Sequence, residues 1–418
     1  MGNNLLSVWG TIGSVLLAVL ILLVMITVRE FGHWLAGKIL KFKINEFSIG
    51  FGPAIFKHKN KKTDEVFAVR VIPLGGYCAF DGEDGLEEET PADGTPVFEE
   101  EFPRETAAEA QVSEKTEPAA APAEPVGQAE KPRGGKFNEK KPWQRIIVLV
   151  AGALMNYLLA LFLIVVCFFA YGQTMAGVYK AEASKEFAAE YSLKEGDLFL
   201  QAEGKNLYLS TDLASALNGK KKWDLVSLRI SRIVVDEESG ERNRQEMTVE
   251  IQLRRDVNVR NSADLDDVWQ ALGIAFEDGV AQVGSGSYRF GFFETLGRSF
   301  VYSFKIAGSI FKVIGELLTG NLGISALGGP ITTIKMTSQV ASHSFRNFLE
   351  IAGFIGVNLA VFNLLPIPAL DGSKVVFTVI EWIRGKPISR KVEAVIHAVG
   401  FVLLLGFAVL VDILQFIL

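Results

Sequence analysis

The fold is decided by the stretch Val28-Arg-Glu-Phe-Gly-His-Trp-Leu-Ala-Gly-Lys38. A run without charged residues, from Leu5 to Val28, leads directly into it, and a charge-free run of this length is typical of a transmembrane helix. No proline interrupts the passage into Arg29, Glu30 and His33. The first transmembrane helix is therefore expected to continue into a segment that carries ionisable side chains.

Positions 29, 30 and 33 have the spacing of the zinc-protease motif His-Glu-x-x-His. In that motif two histidines four residues apart share a helix face and bind zinc, and the glutamate acts as general base. Here Arg29 takes the first position, and arginine has no lone pair to offer a metal and is always charged. The motif therefore lacks one ligand.

The composition indicates a membrane protein with more than one domain. The chain has 418 residues, of which 49% are hydrophobic, a high share for a soluble protein. Its net charge of -6 comes largely from one acidic stretch, so it says little about partners. Two cysteines, Cys78 and Cys167, cannot make a disulfide framework. The amino terminus lacks the basic start of a signal peptide, so we expect the first helix to be retained.

Four apolar segments are long enough to cross a membrane, at about residues 5–28, 146–171, 351–370 and 394–411. Residues 293–318 instead show a helical period, with an apolar face and a second face that carries Arg298, Lys305 and Lys312. This pattern is typical of an amphipathic helix lying on the membrane. Because this helix is so apolar, a fifth span is the alternative.

Basic residues indicate the orientation of these spans. Lysines are frequent between residues 38 and 62, after the first span, and basic residues recur between 384 and 391, before the last. The positive-inside rule makes both loops cytoplasmic and places residues 176–260 outside the cell membrane. His33 and Asp371 then lie at the same depth, each at the cytoplasmic end of a span.

Three further segments lie between the spans. Residues 47–53 and 66–77 are predicted to form short strands with tight turns. Residues 83–136 are rich in Glu, Ala and Pro and are predicted to be a disordered insertion, with an acidic docking site as the alternative. Residues 176–260 resemble a small soluble domain that contains an alternating strand pattern.

A second polar motif follows the third apolar run, Asn363-Leu-Leu-Pro-Ile-Pro-Ala-Leu-Asp-Gly372. Its prolines, Pro366 and Pro368, break the helix at membrane depth, where irregular backbone is tolerated only inside protein or beside a wet cavity. Asp371 follows directly, and an ionisable group in such a place is a functional hypothesis by default. The alternative is that Asp371 only caps a new helix.

Together these motifs resemble the site-2 protease family of intramembrane zinc metalloproteases, in particular the bacterial regulator of sigma-E protease group. The segment at 29–33 stands where the family has its zinc-binding helix, and 363–372 matches its second motif. Ile72-Pro-Leu-Gly-Gly-Tyr77 is similar to its membrane-associated β-loop, and residues 151–156 also resemble family sequence. The small domain weakly resembles a PDZ domain, with Ser192 in place of the usual glycine.

The resemblance implies a multi-span α-helical membrane protein with four transmembrane helices, a membrane-associated β-loop and an inserted PDZ-like α+β domain. Six segments are implied in chain order. The first half has the first span with the zinc-motif helix and β-loop (1–82), the insertion (83–136) and the second span (137–175). The second half has the PDZ-like extracytoplasmic domain (176–260), a linker with the amphipathic helix (261–345) and the last two spans (346–418).

The resemblance also implies roles for single residues. His33 and Asp371 would be metal ligands for Zn²⁺, and Glu30 would be the catalytic residue that activates the metal-bound water. Asn363 would bind the substrate or the developing oxyanion. The Gly75-Gly76 loop would offer a strand edge to an unwound substrate.

Arg29 at a ligand position should not bind metal, so zinc binding is expected to be weak or absent. Two spare imidazoles, His343 and His397, are not expected to replace the lost ligand, since a lone histidine is more often a packed or interfacial residue. The guanidinium could instead pair with Asp371 or Glu30.

Three functions are compatible with this pattern. The first is an intramembrane zinc endopeptidase, impaired by Arg29, that cuts single-span membrane proteins such as anti-sigma factors. The second is a pseudo-protease that binds such helices and PDZ ligands without cutting. The third is a transporter, which the lack of an inverted repeat of the broken segment disfavours. The expected partners are the bilayer of a bacterial cell (inner) membrane, its single-span proteins and a peptide ligand of the PDZ-like domain, with no nucleic acid.

Overall fold

A computed structural model describes residues 2–83, 134–182, 186–235, 241–262, 265–324 and 327–417. The helices are α1 (Gly2–Ile39), α2 (Pro142–Tyr171), α3 (Ser210–Leu217), α4 (Asp266–Ala271), α5 (Phe292–Leu318), α6 (Pro330–His343), α7 (Phe345–Leu364), α8 (Asp371–Arg384) and α9 (Arg390–Ile417). The strands are β1 (Ile44–Lys59), β2 (Val66–Phe80), β3 (Gln173–Val178), β4 (Leu198–Ala202), β5 (Lys205–Asn206), β6 (Leu225–Val235), β7 (Arg242–Gln252), β8 (Phe276–Glu277), β9 (Val280–Ala281) and β10 (Val283–Tyr288). Nearly all of the predicted insertion at 83–136 lies outside the described residues.

Within the described part of the chain, four helices are long and apolar enough to cross a membrane. They are Val15–Ile39, Pro142–Tyr171, Phe345–Leu364 and Lys391–Gln415. The four predicted spans are thus confirmed as candidates, and α5 is not among them. The third ends at Leu364 rather than at the predicted residue 370, because Pro366 and Pro368 cannot continue a helix.

Small residues let the first three spans approach closely. A Cβ atom on Gly32 of α1 would lie 2.5 Å from the carbonyl oxygen of Ala151 in α2. A Cβ atom on Gly356 of α7 would lie 2.8 Å from the Cβ of Ala160 and 3.1 Å from the sulfur of Met25. Close approach at small residues is typical of helices packed inside a membrane. It brings α1, α2 and α7 together around one polar centre.

The strands β1 and β2 form an antiparallel sheet that folds back on itself. Residues 44–49 of β1 pair both with 76–80 and with 66–69 of β2, and residues 54–59 pair with 66–70. The outer edge of residues 76–80 therefore faces away from this sheet. The predicted strands at 47–53 and 66–77 are found here, although both extend further than predicted.

A separate antiparallel sheet forms a β domain after α2. Its strand order is β10-β3-β4-β6-β7, and β5 pairs with β4. The predicted alternation along residues 247–253 is found in β7, whose inward side chains join the buried core. The domain does not end at the predicted residue 260, because β10 pairs with β3 and Trp269 and Ile274 belong to the same core.

Two basic residues of the amphipathic helix α5, Arg298 and Lys305, contact the β domain. Arg298 is 3% exposed and lies 4.6 Å from the ring centre of Tyr208, in the β domain. Lys305 forms an ion pair with Asp212 at 2.5 Å. These cations hold α5 against the domain, and its apolar side chains pack on α2 and α7 or are exposed.

Candidate active site

Four of the residues singled out in the sequence meet at one point inside the bundle. His33 Nε2 lies 3.4 Å from Asp371 Oδ2, although 338 positions separate the two residues in sequence. Arg29 Nη2 lies 2.9 Å from Glu30 Oε1, and Arg29 Nε lies 3.6 Å from Asp371 Oδ2. Glu30 and His33 are buried. The arrangement is a compact ionic cluster between α1 and the start of α8.

The imidazole of His33 is oriented by α2. Its Nδ1 lies 2.9 Å from the carbonyl oxygen of Val148, which can only accept a hydrogen bond, so Nδ1 donates. The ring edge with Nε2 therefore faces Asp371. Gly152 lies beside this ring, and any side chain at Gly152 would clash with Nε2. Both contacts fix the imidazole in place before any ligand binds.

Asn363 belongs to the same cluster. It lies at the end of α7 and is buried, and its Oδ1 accepts a hydrogen bond from Arg29 Nη1 at 3.5 Å. The chain then turns through Pro366 and Pro368 and enters α8 at Asp371. The break in the helix thus lets one short segment contribute both Asn363 and Asp371 to the centre.

The β-loop passes directly over α1. A Cβ atom on Gly76 would lie 3.4 Å from Cγ of Glu30 and 2.8 Å from the carbonyl oxygen of Ser48. Glycine is required at this position because any Cβ atom would collide with the backbone of β1, and Gly76 is at contact distance from Glu30 of α1. Gly75 lies next to it with a φ of +103°, a left-handed conformation that also favours glycine. Gly76, at the start of the outer segment 76–80 of the sheet, is consequently adjacent to Glu30.

The two spare histidines lie elsewhere. His343 is exposed at the end of α6, where its Nδ1 contacts the carbonyl oxygen of Gln339. His397 of α9 contacts the backbone of Ala369, outside the ionic cluster. The structure therefore brings Arg29, Glu30, His33, Asn363 and Asp371 together and places Gly75 and Gly76 beside them. His343 and His397 lie outside this cluster.

Comparison with known proteins places this centre in a family. The family model for peptidase family M50 matches residues 17–407 of the chain. The chain belongs to peptidase family M50. The predicted resemblance to the site-2 proteases is thereby confirmed, since that family is the M50 family. With several apolar helices, this M50 chain is a multi-pass membrane protein.

Curated M50 relatives match over nearly their whole length. The zinc metalloprotease RasP of Bacillus licheniformis is 28% identical over 442 aligned residues, which cover 94% of this chain and 96% of the relative. The regulator of sigma-W protease RasP of Bacillus subtilis is 26% identical, with the same coverage of both chains. M50 relatives of this kind are zinc metalloproteases by name, so zinc is the metal that the family implies.

The residues present do not fit a catalytic zinc ion. Catalytic zinc sites keep three protein ligands and one open position. His33 and Asp371 supply two donors at a separation that suits a shared ion, but the guanidinium of Arg29 stands at the third position. Across the described residues, no three His, Cys, Asp or Glu side chains form a group that could hold a metal ion. This M50 centre is therefore one ligand short.

Sequence reasoning missed Asn156 of α2. It is buried, and neither atom of its side-chain amide has a hydrogen-bond partner among the described residues. Gly152, one turn away, contacts His33, and Ala160, one turn the other way, lies near Met25. In this antiparallel register Asn156 lies level with Arg29. The signal was available in the sequence, because a lone amide in an apolar span requires an explanation.

Proposed function

We propose that this chain is an intramembrane metalloendopeptidase of the site-2 protease type in which Arg29 impairs hydrolysis. Its substrates would be single-span membrane proteins of the anti-sigma-factor kind, cut in regulated intramembrane proteolysis. One observation carries the proposal: His33 and Asp371 converge to 3.4 Å from two separate helices, next to Glu30. The name of the Bacillus subtilis relative, regulator of sigma-W protease, supports this substrate class.

In this proposal His33 and Asp371 are the two remaining metal ligands, and Glu30 is the general base. Zinc, where a full ligand set holds it, supplies a Lewis acid and lowers the pKa of a bound water. The unmodified chain lacks the third ligand, so we assign no step through zinc to it. Its Zn²⁺ binding is expected to be weak or absent.

Substrate binding would depend on the β-loop and on Asn363 rather than on a metal ion. A helical peptide bond is shielded, so a membrane segment must unwind before hydrolysis, and its freed backbone groups then need partners. The outer edge of residues 76–80 supplies backbone donors and acceptors beside Glu30. Asn363 supplies a buried amide on the other side of the cluster. The unwound segment would therefore add to the β2 edge.

A pseudo-protease that binds membrane helices and PDZ ligands without cutting is the second candidate. The ion pairs of Arg29 with Glu30 and Asp371 favour it, because a guanidinium between two carboxylates neutralises charge that a metal would otherwise balance. The β domain would then serve as the PDZ-like peptide-binding domain, with β10 as its edge strand. Both candidates share the same substrate-binding edge.

We also propose that the protein lies in the bacterial cell (inner) membrane with Lys38 and the β-loop cytoplasmic and the β domain outside. Two exposed lysines provide a matched test, Lys61 in the β-loop and Lys205 in the β domain. A cysteine at Lys205 should react with an impermeant thiol reagent in intact cells, and a cysteine at Lys61 only after lysis. The reverse pattern would invert the orientation.

The function itself is tested with a single-span substrate in liposomes. The unmodified protein should cross-link to a photoreactive substrate but cleave it at a negligible rate, whereas Arg29→His should cross-link and cleave. Cross-linking without cleavage in both proteins would establish the pseudo-protease. Cleavage by the unmodified protein would show that another residue completes the metal site.

A further inference from the structure

The fourth span α9 is held to the rest of the bundle by polar contacts near its two ends. Near one end, the backbone N–H of Ala369 donates to Nδ1 of His397 at 3.1 Å. Near the other, Asp412 accepts from the backbone N–H groups of Ile331 at 3.0 Å and Thr332 at 3.3 Å, and so caps α6. The first of these contacts involves the segment that leads into Asp371.

In the turn that precedes Asp371, the backbone is strained at Ala369. Its φ is +76°, in the left-handed region that a residue with a Cβ atom rarely adopts. Such a conformation persists only where the surroundings enforce it. On the α9 side, Gly400 contacts Pro368 so closely that a Cβ atom at Gly400 would clash with the proline ring. His397 and Gly400, about one turn apart, thus form the surface against which this turn rests.

The imidazole of His397 is itself oriented for this contact. Because an amide N–H can only donate, Nδ1 must carry no proton and the hydrogen is on Nε2. Nε2 faces Glu393 Oε1 at 3.9 Å, which favours that tautomer. The ring of Phe377 in α8 packs edge-on against the imidazole at 5.7 Å between centres. His397 therefore contacts both the turn and the helix that Asp371 begins.

We propose that His397 is a positioning residue of this centre. It holds the strained turn at Ala369 and so sets the point at which the chain enters α8. Asp371 follows two residues later, and its carboxylate reaches His33 only if α8 begins at that point. The hydrogen bond between Ala369 and His397 does not depend on the proposed function, whereas its effect on metal binding rests on that function.

Amide hydrogen exchange tests the contact in the full-length, unmodified protein in detergent. His397→Leu should speed exchange of the Ala369 amide about tenfold or more, the effect of losing one hydrogen bond. His397→Asn, whose side-chain oxygen can replace Nδ1 as acceptor, should stay within about threefold of the unmodified rate. The matched control Asp412→Ala should change exchange at residues 331–332 and leave Ala369 unchanged. Equal protection of Ala369 in His397→Leu would overturn the proposal.

Zinc affinity in an Arg29→His background tests the consequence. There, His397→Leu should weaken zinc binding about 10–100-fold in a chelator competition, as is typical when a residue supporting a metal ligand is lost. His397→Asn should retain the affinity within about threefold. Equal affinity of all three proteins would show that His397 does not position Asp371. If Arg29→His takes up no zinc even with His397 intact, the proposed function fails, and hydrogen exchange alone decides the role of His397.

Discussion

Arg298 and Arg29 each contact buried polar side chains, and their surroundings differ in kind. Arg298, at the junction of α5 and the β domain, donates from Nε to Gln173 Oε1 at 2.7 Å and from Nη2 to the carbonyl oxygen of Leu207. The ring centre of Phe290 lies 4.0 Å from its guanidinium carbon. Arg29, in the ionic cluster between α1 and α8, instead contacts the carboxylates of Glu30 and Asp371.

The comparison shows that the surroundings of Arg298 suit a guanidinium group. Neutral acceptors and aromatic faces around Arg298 match a planar, delocalised cation. Burial lowers the pKa of Arg298 from its ordinary value, and the nearest carboxylate, Glu294, is half-exposed at 3.8 Å. Around Arg29, the carboxylates of Glu30 and Asp371 balance the cation, and the imidazole of His33 lies against Asp371. In the proposed function, His33 and Asp371 are two ligands of a metal site whose third position Arg29 occupies.

The largest effect is expected from removing Glu30, the base in the proposed function. In an Arg29→His background, Glu30→Gln should keep zinc but reduce cleavage of the single-span substrate by about 10²–10⁴-fold, because a neutral amide cannot accept the proton of an attacking water. The matched control is Glu294→Gln, which changes the half-exposed carboxylate beside Arg298. Cleavage by that control should be unchanged. A similar loss in both proteins would erase the distinction between the two regions.

The next effect concerns the stability of the α5 junction. Arg298→Met should destabilise the protein by about 2–4 kcal/mol, since it leaves the buried acceptors Gln173 Oε1 and Leu207 O without their donor. Lys305→Met removes a cation from the same helix, but its side chain is 37% exposed, so the loss should stay below about 1 kcal/mol. Thermal unfolding in detergent compares the two. Equal losses would mean that Arg298 is held only as a surface charge.

The smallest effect has the opposite sign. Asn156→Leu should stabilise the protein by about 1 kcal/mol, because it removes a buried amide with no partner among the described residues and replaces it with an apolar side chain of similar size. Thermal unfolding measures the change, and Asn363→Leu, which removes the acceptor of Arg29, is the matched comparison. A loss of stability in Asn156→Leu would show that the amide is paired, for example by a buried water.

The membrane architecture could be predicted because its signals are local. The length of an apolar run and a proline inside a helical pattern are both visible locally, so the spans and the break before Asp371 could be predicted from the sequence. The end of the β domain could not, because the pairing of β10 with β3 joins residues about a hundred positions apart. The contacts of Arg298 and Lys305 with the β domain were not predictable for the same reason. Periodicity gives a helix face but not the element that it contacts.

The candidate centre was predictable only through motif spacing and family resemblance. Helical spacing puts positions 29 and 33 on one face, but it does not bring Asp371 to them. The hydrogen bonds that orient the centre could not be predicted from the sequence. His33 bonds to Val148 of another helix, and Ala369 in the turn bonds to His397 of α9. They depend on how the spans pack.

The most direct test of the account is the zinc content of the purified protein. The unmodified chain and Arg29→His are purified side by side without chelators, and zinc per chain is measured by elemental analysis. The account predicts little zinc in the unmodified protein and about one zinc per chain in Arg29→His, because the substitution completes a three-ligand set with His33 and Asp371. Stoichiometric zinc in the unmodified protein, or none in Arg29→His, would contradict it.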